Sequence, residues 1–342
     1  MRRAIFASRW FYVARRLVQA LLVIWAAFTV TFIILYLVPG NPAEIIAGGA
    51  SGAQPTPQQL AEIDAQYGLN KPVIVQYLVD LGHALQGNLG VSYQLKEPVS
   101  TLIGVTFPST CELAFFALAV AVAGGLLLGG AAVYLRPRWA QRTLDALPPL
   151  GASLPSFWVG LMLMEFFSFR IHIFPSAGQQ GFISVVLPGI MLAVPVGAQI
   201  AQVFSKSLRS AYTEPFVEIA TAKGASRLRV FFAHAVRNAL LPVITVTGMA
   251  IANLFVYATI AETIYSRDGL GLTLTNAVQS KDIPVVQGIV LVVAAIYAVA
   301  SLAVDLVYPL VDARIGTGRG ARLRPTARAA ADPLDPGKAV IV

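Results

Sequence analysis

Side chains that could do chemistry are sparse in this chain of 342 residues. Its three histidines, His83, His172 and His234, stand apart, and none sits with Cys, Asp or a second His at metal-ligand spacing. The single cysteine, Cys111, cannot form an internal disulfide. No G-x-x-x-x-G-K-[ST] run occurs, so the chain cannot by itself bind and hydrolyse ATP in the phosphate-loop manner. Neither intrinsic catalysis nor a cofactor bound by this chain is expected. Two features remain. One is Glu165, alone in the apolar run "GLMLMEFFSFR"; the other is the compact charged stretch "EIATAKGASRLRV" from Glu218 to Val230.

The elements that position them are read from composition. Hydrophobic residues make up 56% of the chain and charged residues only 12%, about half the share usual in soluble domains. In a soluble chain the net charge of +8 would suggest nucleic acid; here its distribution says more, and no nucleic-acid partner is expected. Crossing a bilayer takes about 20 mostly apolar residues in a helix. Six stretches qualify: Leu17–Val38, Thr110–Leu135, Leu147–Phe169, Val185–Leu208, Ala239–Ala261 and Val285–Tyr308. The first is too long for a signal-peptide core and lacks a cleavage site, so it reads as a retained span. The chain is therefore expected to be an all-α polytopic membrane protein.

Lys and Arg set its direction. They crowd before the first span (Arg2, Arg3, Arg9, Arg15, Arg16) and between spans two and three (Arg136, Arg138, Arg142). They crowd again between spans four and five (Lys206, Arg209, Lys223, Arg227, Arg229, Arg237) and after the sixth (Arg314, Arg319, Arg322, Arg324, Arg328, Lys338). The other side keeps only Lys71, Lys96, Arg170, Arg267 and Lys281. The positive-inside rule puts both termini in the cytoplasm. The expected organisation is a cytoplasmic N-terminus (1–16), a first span (17–38), an extracytoplasmic helical segment (39–109), a transmembrane core (110–308) with a cytoplasmic loop (209–238), and a disordered cytoplasmic tail (309–342).

In the outer segment Thr56 is expected to cap a helix with Pro57 first and Gly68 at its end, and Asn70 to start another before Gly87. Such helices would lie on the membrane or cover the outer mouth of the spans. Pro148, Pro149, Pro155, Pro188 and Pro195 are expected to interrupt spans three and four, as passage-lining helices or as plain packing kinks. Glu112, Glu262 and Asp305 lie near span ends, where water or headgroups would reach them. Glu165 is deeper; it would line a solvated pathway and meet cargo, or bond to a neighbouring helix.

The charged stretch falls on the cytoplasmic side. Thr213 is expected to cap a helix from Glu214 to Lys223, with Glu214 and Pro215 in its first turn. Glu214 and Glu218 suit the positive end of the dipole, Lys223 suits the negative end, and Gly224 supplies a left-handed stop. Phe216, Ile219 and Ala220 share one face that Lys223 continues. A second helix is expected near Ser226, running into span five. Such a helix at a glycine elbow can dock into another protein's cleft, or simply connect two spans.

Glu218-Ile219-Ala220, three residues, then Gly224 resembles the E-A-A-x-x-x-G loop of permease subunits in bacterial ATP-binding-cassette importers. "ATAKGASRLRVFFAHAVRNALLPVIT" (Ala220–Thr245) resembles more narrowly the dipeptide/oligopeptide branch of that family. So do "LVPGNPA" (Leu37–Ala43), "YGLNKPVIVQYL" (Tyr67–Leu78), "GNLGVSY" (Gly87–Tyr93), "FPSTCELA" (Phe107–Ala114) and "LPSFWVGL" (Leu154–Leu161). "DGLGLTL" (Asp268–Leu274), "KDIPVVQG" (Lys281–Gly288) and "DLVYPLVDARI" (Asp305–Ile315) complete the set. Departures are Ile219 for the first alanine, Ala313 for a proline, and Glu165 in a usually apolar segment.

The resemblance implies the type I importer permease fold in the bacterial cytoplasmic (inner) membrane. It implies a second, similar permease subunit, two ATPase subunits that use ATP and Mg, and an extracytoplasmic peptide-binding protein. It also implies that Glu214, Phe216, Glu218, Ile219, Ala220, Lys223 and Gly224 form the coupling helix: Phe216, Ile219 and Ala220 supply buried contact to an ATPase, Glu218 and Lys223 pair at its rim, and Gly224 makes the turn. Short peptides are the leading cargo. Nickel chelates or glutathione, and a non-transporting membrane scaffold, stand as alternatives.

Overall fold

The computed structural model describes residues 2–37, 42–48 and 55–311. The arginine-rich tail and Ala313 lie outside these residues, as does most of "LVPGNPA". The order is α1 (Arg2–Leu37), α2 (Pro42–Gly48), α3 (Pro57–Tyr67), α4 (Val73–Leu85), α5 (Val99–Tyr134), α6 (Arg138–Ser153), α7 (Ser156–Leu163, continuing as a π-helical segment Met164–Arg170) and α8 (Ile183–Tyr212). There follow α9 (Pro215–Ala222), α10 (Arg227–Arg229, continuing as a π-helical segment Val230–Ala235), α11 (Val236–Ile264), α12 (Leu270–Gln279) and α13 (Ile283–Val311). Among the described residues, five helices are long and apolar enough to cross a membrane, or six if one bent pair is counted as a single span.

That pair, Arg138–Ser153 and Ser156–Arg170, turns through 103°. The run expected as one straight span from Leu147 to Phe169 is therefore sharply bent. Leu154 precedes Pro155, whose ring excludes the helical conformation there; both residues are extended, with ψ of 131° and 127°. The other prolines do not break their helices. Pro148 and Pro149 lie inside α6, and Pro188 and Pro195 inside α8, where neighbouring helices tolerate the missing hydrogen bond. In the outer segment α3 has its capping box at Thr56 and stops at Gly68 (φ 67°). The next helix starts at Val73 with Pro72 as its cap, not at Asn70, because proline is suited to helix starts and lacks only a donor the first turn does not use.

The main core lies where α5, α8 and α11 meet, around Leu113, Ala117, Ala121, Met191, Ile200 and Leu254. Helices in lipid associate through close packing of small residues. On α5 these recur every fourth position, at Ala117, Ala121, Gly125 and Gly129. A Cβ at Gly125 would stand 2.7 Å from Ile200 Cγ2, and one at Gly129 would stand 2.7 Å from the Ala201 carbonyl. A second cluster, Val99, Ile103, Leu270, Ala277, Val285, Val286 and Ile289, joins the start of α5 to α12 and α13.

Candidate functional site: an elbow at one end and polar knots at the other

The connection between α8 and α11 forms a projecting elbow. Glu214 is the N-cap of α9 (φ −79°, ψ 145°) with Pro215 next. Thr213, expected as the cap, is still helical and donates its hydroxyl to the Ser210 carbonyl at 2.8 Å, so the cap falls one residue later. The chain turns at Gly224 (φ 80°), with Gly224 N donating to Thr221 O at 2.9 Å and Ala225 N to Ala220 O at 3.0 Å. The helix spans eight residues, Pro215–Ala222. Ser226 caps α10, accepting from Arg229 N.

The expected shared face is divided. Phe216 is half-buried against the chain's own core, its ring 6.2 Å from His234. Val217 and Ala220 are half-buried as well. Ile219 is 55% exposed, and Glu214, Glu218, Lys223 and Gly224 are exposed beside it. The π-helical turn that follows seats Val230, Phe231 and Ala235 in the core. Nearby, Arg209 Nη2 reaches both carboxylate oxygens of Asp145 at 2.7 Å, tying α8 to α6.

At the other end of the bundle, motifs far apart in sequence meet in buried hydrogen-bond knots. Glu262 is wholly buried. It accepts the Thr110 hydroxyl at 2.6 Å and the backbone N–H groups of Gly271 (2.6 Å) and Leu272 (3.3 Å). Those amides open α12, whose N-terminus favours an anion. Gly269 and Gly271 make room, since a Cβ at either would come within 2.2 Å of Glu262 or of Thr259 Cα. The Leu270 N–H returns to Thr110 Oγ1 at 2.9 Å. Arg267, also wholly buried, pairs with Glu112 at 2.5 Å and donates to Ser184 Oγ at 2.9 Å. Sequence reasoning left Glu262 open to water; the fold closes over it because three donors compensate its burial. Asp282, 2% exposed, accepts Ser92 Oγ (2.5 Å), Tyr93 N (3.1 Å) and Gln94 N (3.2 Å). Tyr265 donates to the Gly160 carbonyl at 2.8 Å.

Arg267, Asp282 and Thr110 were not singled out by sequence. Their only signal is that they lie within or beside the motif segments, "FPSTCELA", "DGLGLTL" and "KDIPVVQG". Glu165 bonds to Arg170 at 3.3 Å, five residues along a π-helical turn that stacks positions i and i+5; its partner lies on its own helix and not on a neighbour. Asp305 lies where side chains are not described. A cavity of about 1260 Å³ opens between α5, α11 and α13, lined by Phe107, Cys111, Ile251, Phe255, Val292 and Ile296 among others; Glu165 is not in its wall.

Residues 121–317 match the family described as binding-protein-dependent transport system inner membrane component, and residues 10–114 match its N-terminal companion. The dipeptide transport system permease protein DppB of Haemophilus influenzae is 34% identical, covering 89% of this chain and 98% of that protein. The di/tripeptide transport system permease protein DppB of Pseudomonas aeruginosa is 33% identical over the same shares. Among solved structures, an inward-facing form of the MetNI methionine ABC transporter aligns with a TM-score of 0.52 at 18% identity, covering 62% of this chain and 96% of that one. That likeness is one of fold.

Proposed function

This chain belongs to the family of binding-protein-dependent transport system inner membrane components, and from that membership we propose that it forms half of the pathway of an ATP-driven importer of short peptides. It is a multi-pass protein of the bacterial inner membrane. The observation that carries the peptide reading is the likeness, over 89% of this chain, to relatives named for dipeptide and di/tripeptide transport. A second, similar permease completes the pathway, two ATPase subunits burn ATP with Mg, and an extracytoplasmic binding protein delivers the cargo.

In this reading the elbow end faces the cytoplasm, following the placement of Lys and Arg. The α9 helix seats in a groove of one ATPase. Ile219 enters the groove, while Glu218 and Lys223 pair at its rim. Phe216 roots the helix on the chain's own core, which transmits its displacement to the spans. Gly224 holds the turn. At the opposite end the buried knots lock α5, α8, α11 and the α12 loop together, so the block moves as one. Glu165, paired with Arg170 near the outer end of span three, meets cargo as it enters.

The test is uptake of labelled di- and oligopeptides by cells lacking this chain, with and without its restoration. Restored uptake of peptides supports the reading; uptake that does not depend on the chain refutes it.

A further inference from the structure

The elbow is covalently continuous with α8 on one side and α11 on the other; α5 has no such link. Arg227 supplies a non-covalent one. It stands first in α10, directly after its capping serine. Its Nη2 donates to the carbonyl of Tyr134, the last residue of α5. Its guanidinium lies 4.5 Å from the centroid of the Tyr134 ring. The same ring meets Phe231 edge-on at 5.0 Å, and Phe231 is 6% exposed. Tyr134 is thus gripped by a cation and by a core aromatic from the same turn of chain. Tyr212, at the end of α8, lies within electrostatic reach of both Arg227 and Tyr134. A cation at a helix C-terminus is favoured by the dipole, and a guanidinium over an aromatic face adds attraction.

We propose that Arg227 is a positioning residue that straps the elbow to the end of α5, so that displacement of α9 reaches α5 directly as well as α8 and α11. The role rests on the importer reading above. Without the strap, α9 would still dock and still trigger hydrolysis, but α5 would lag behind the elbow and cargo movement would fall out of step.

The experiment uses the complete reconstituted complex with its binding protein and a radiolabelled dipeptide, and reads ATP hydrolysed per dipeptide taken up. Arg227→Gln should raise that ratio about fivefold and Tyr134→Leu, which keeps the carbonyl, about two- to threefold, while ATPase activity stays within about twofold of the parent. The double variant should do no more than Arg227→Gln alone, because both contacts need Arg227. Tyr134→Phe keeps ring and carbonyl and should match the parent. Uncoupling by Arg227→Gln but not by Tyr134→Leu would overturn the proposal and assign Arg227 to a contact with another subunit. A second readout does not depend on cargo: spin labels at Ala222→Cys and Leu135→Cys in a Cys111→Ala background. Their separation should hold when ATP binds the parent complex and change in Arg227→Gln; a change of equal size in both overturns the strap. A parent complex that keeps the separation but takes up no dipeptide contradicts the peptide reading alone.

Discussion

Gly224 offers the sharpest perturbation of the elbow. Its φ is 80°, and a Cβ built on it meets nothing within 4 Å. The constraint is therefore one of backbone conformation and not of space. An L-residue held in the left-handed region costs about 1–2 kcal/mol, which lowers the population of the correct turn about 5–30-fold. A β-branched residue is worse there, whereas Asn visits the region readily. Gly224→Val should therefore insert normally but lose uptake, with ATP hydrolysis no longer tied to transport. Gly224→Ala should fall between, and Gly224→Asn should retain most uptake. The assay is membrane insertion by blotting, then uptake and ATPase activity side by side in reconstituted complexes. Normal uptake by Gly224→Val refutes the role of the turn. An Asn variant as defective as the Val variant refutes the conformational argument, because the site would then be short of space in the assembly.

Three further outcomes follow from the geometry. Glu112→Leu takes from the wholly buried Arg267 its ion-pair partner and should cost up to about 3–5 kcal/mol; Arg267→Met should cost less, since Glu112 is half-exposed, and Arg170→Met, in a pair open to solvent, at most about 1 kcal/mol. Thermal unfolding of the detergent-solubilised chain ranks the three. Gly125→Leu should prevent folding while Gly124→Leu is tolerated, because only the former would collide with Ile200; yield of monodisperse protein separates them. Glu165→Gln should shift preference among peptides carrying cationic groups in a competition uptake assay, and an unchanged profile removes Glu165 from the path.

The spans were legible because lipid demands long apolar helices, and the elbow because its stop and second cap are local. Gly224 and Ser226 sit where the sequence puts them. Thr213 does not, since its hydroxyl found a carbonyl in the preceding turn, a competition that residue type alone leaves undecided. The split of the α9 face was also hidden. Phe216 turns inward because His234 and the core lie beneath it, a fact of tertiary packing. The knots were hidden most deeply. Thr110 and Glu262 lie 152 residues apart, and Ser92 and Asp282 lie 190 apart. No periodicity relates them.

The central claim is that α9 presents Ile219 to an ATPase while its other side faces the chain's own core. A photo-crosslinking amino acid placed at Ile219, and separately at Phe216, in the complete assembly tests this directly. The account predicts a product between position 219 and the ATPase subunit, and only intrachain products from position 216. Capture of the ATPase from position 216 but not from 219 would contradict it.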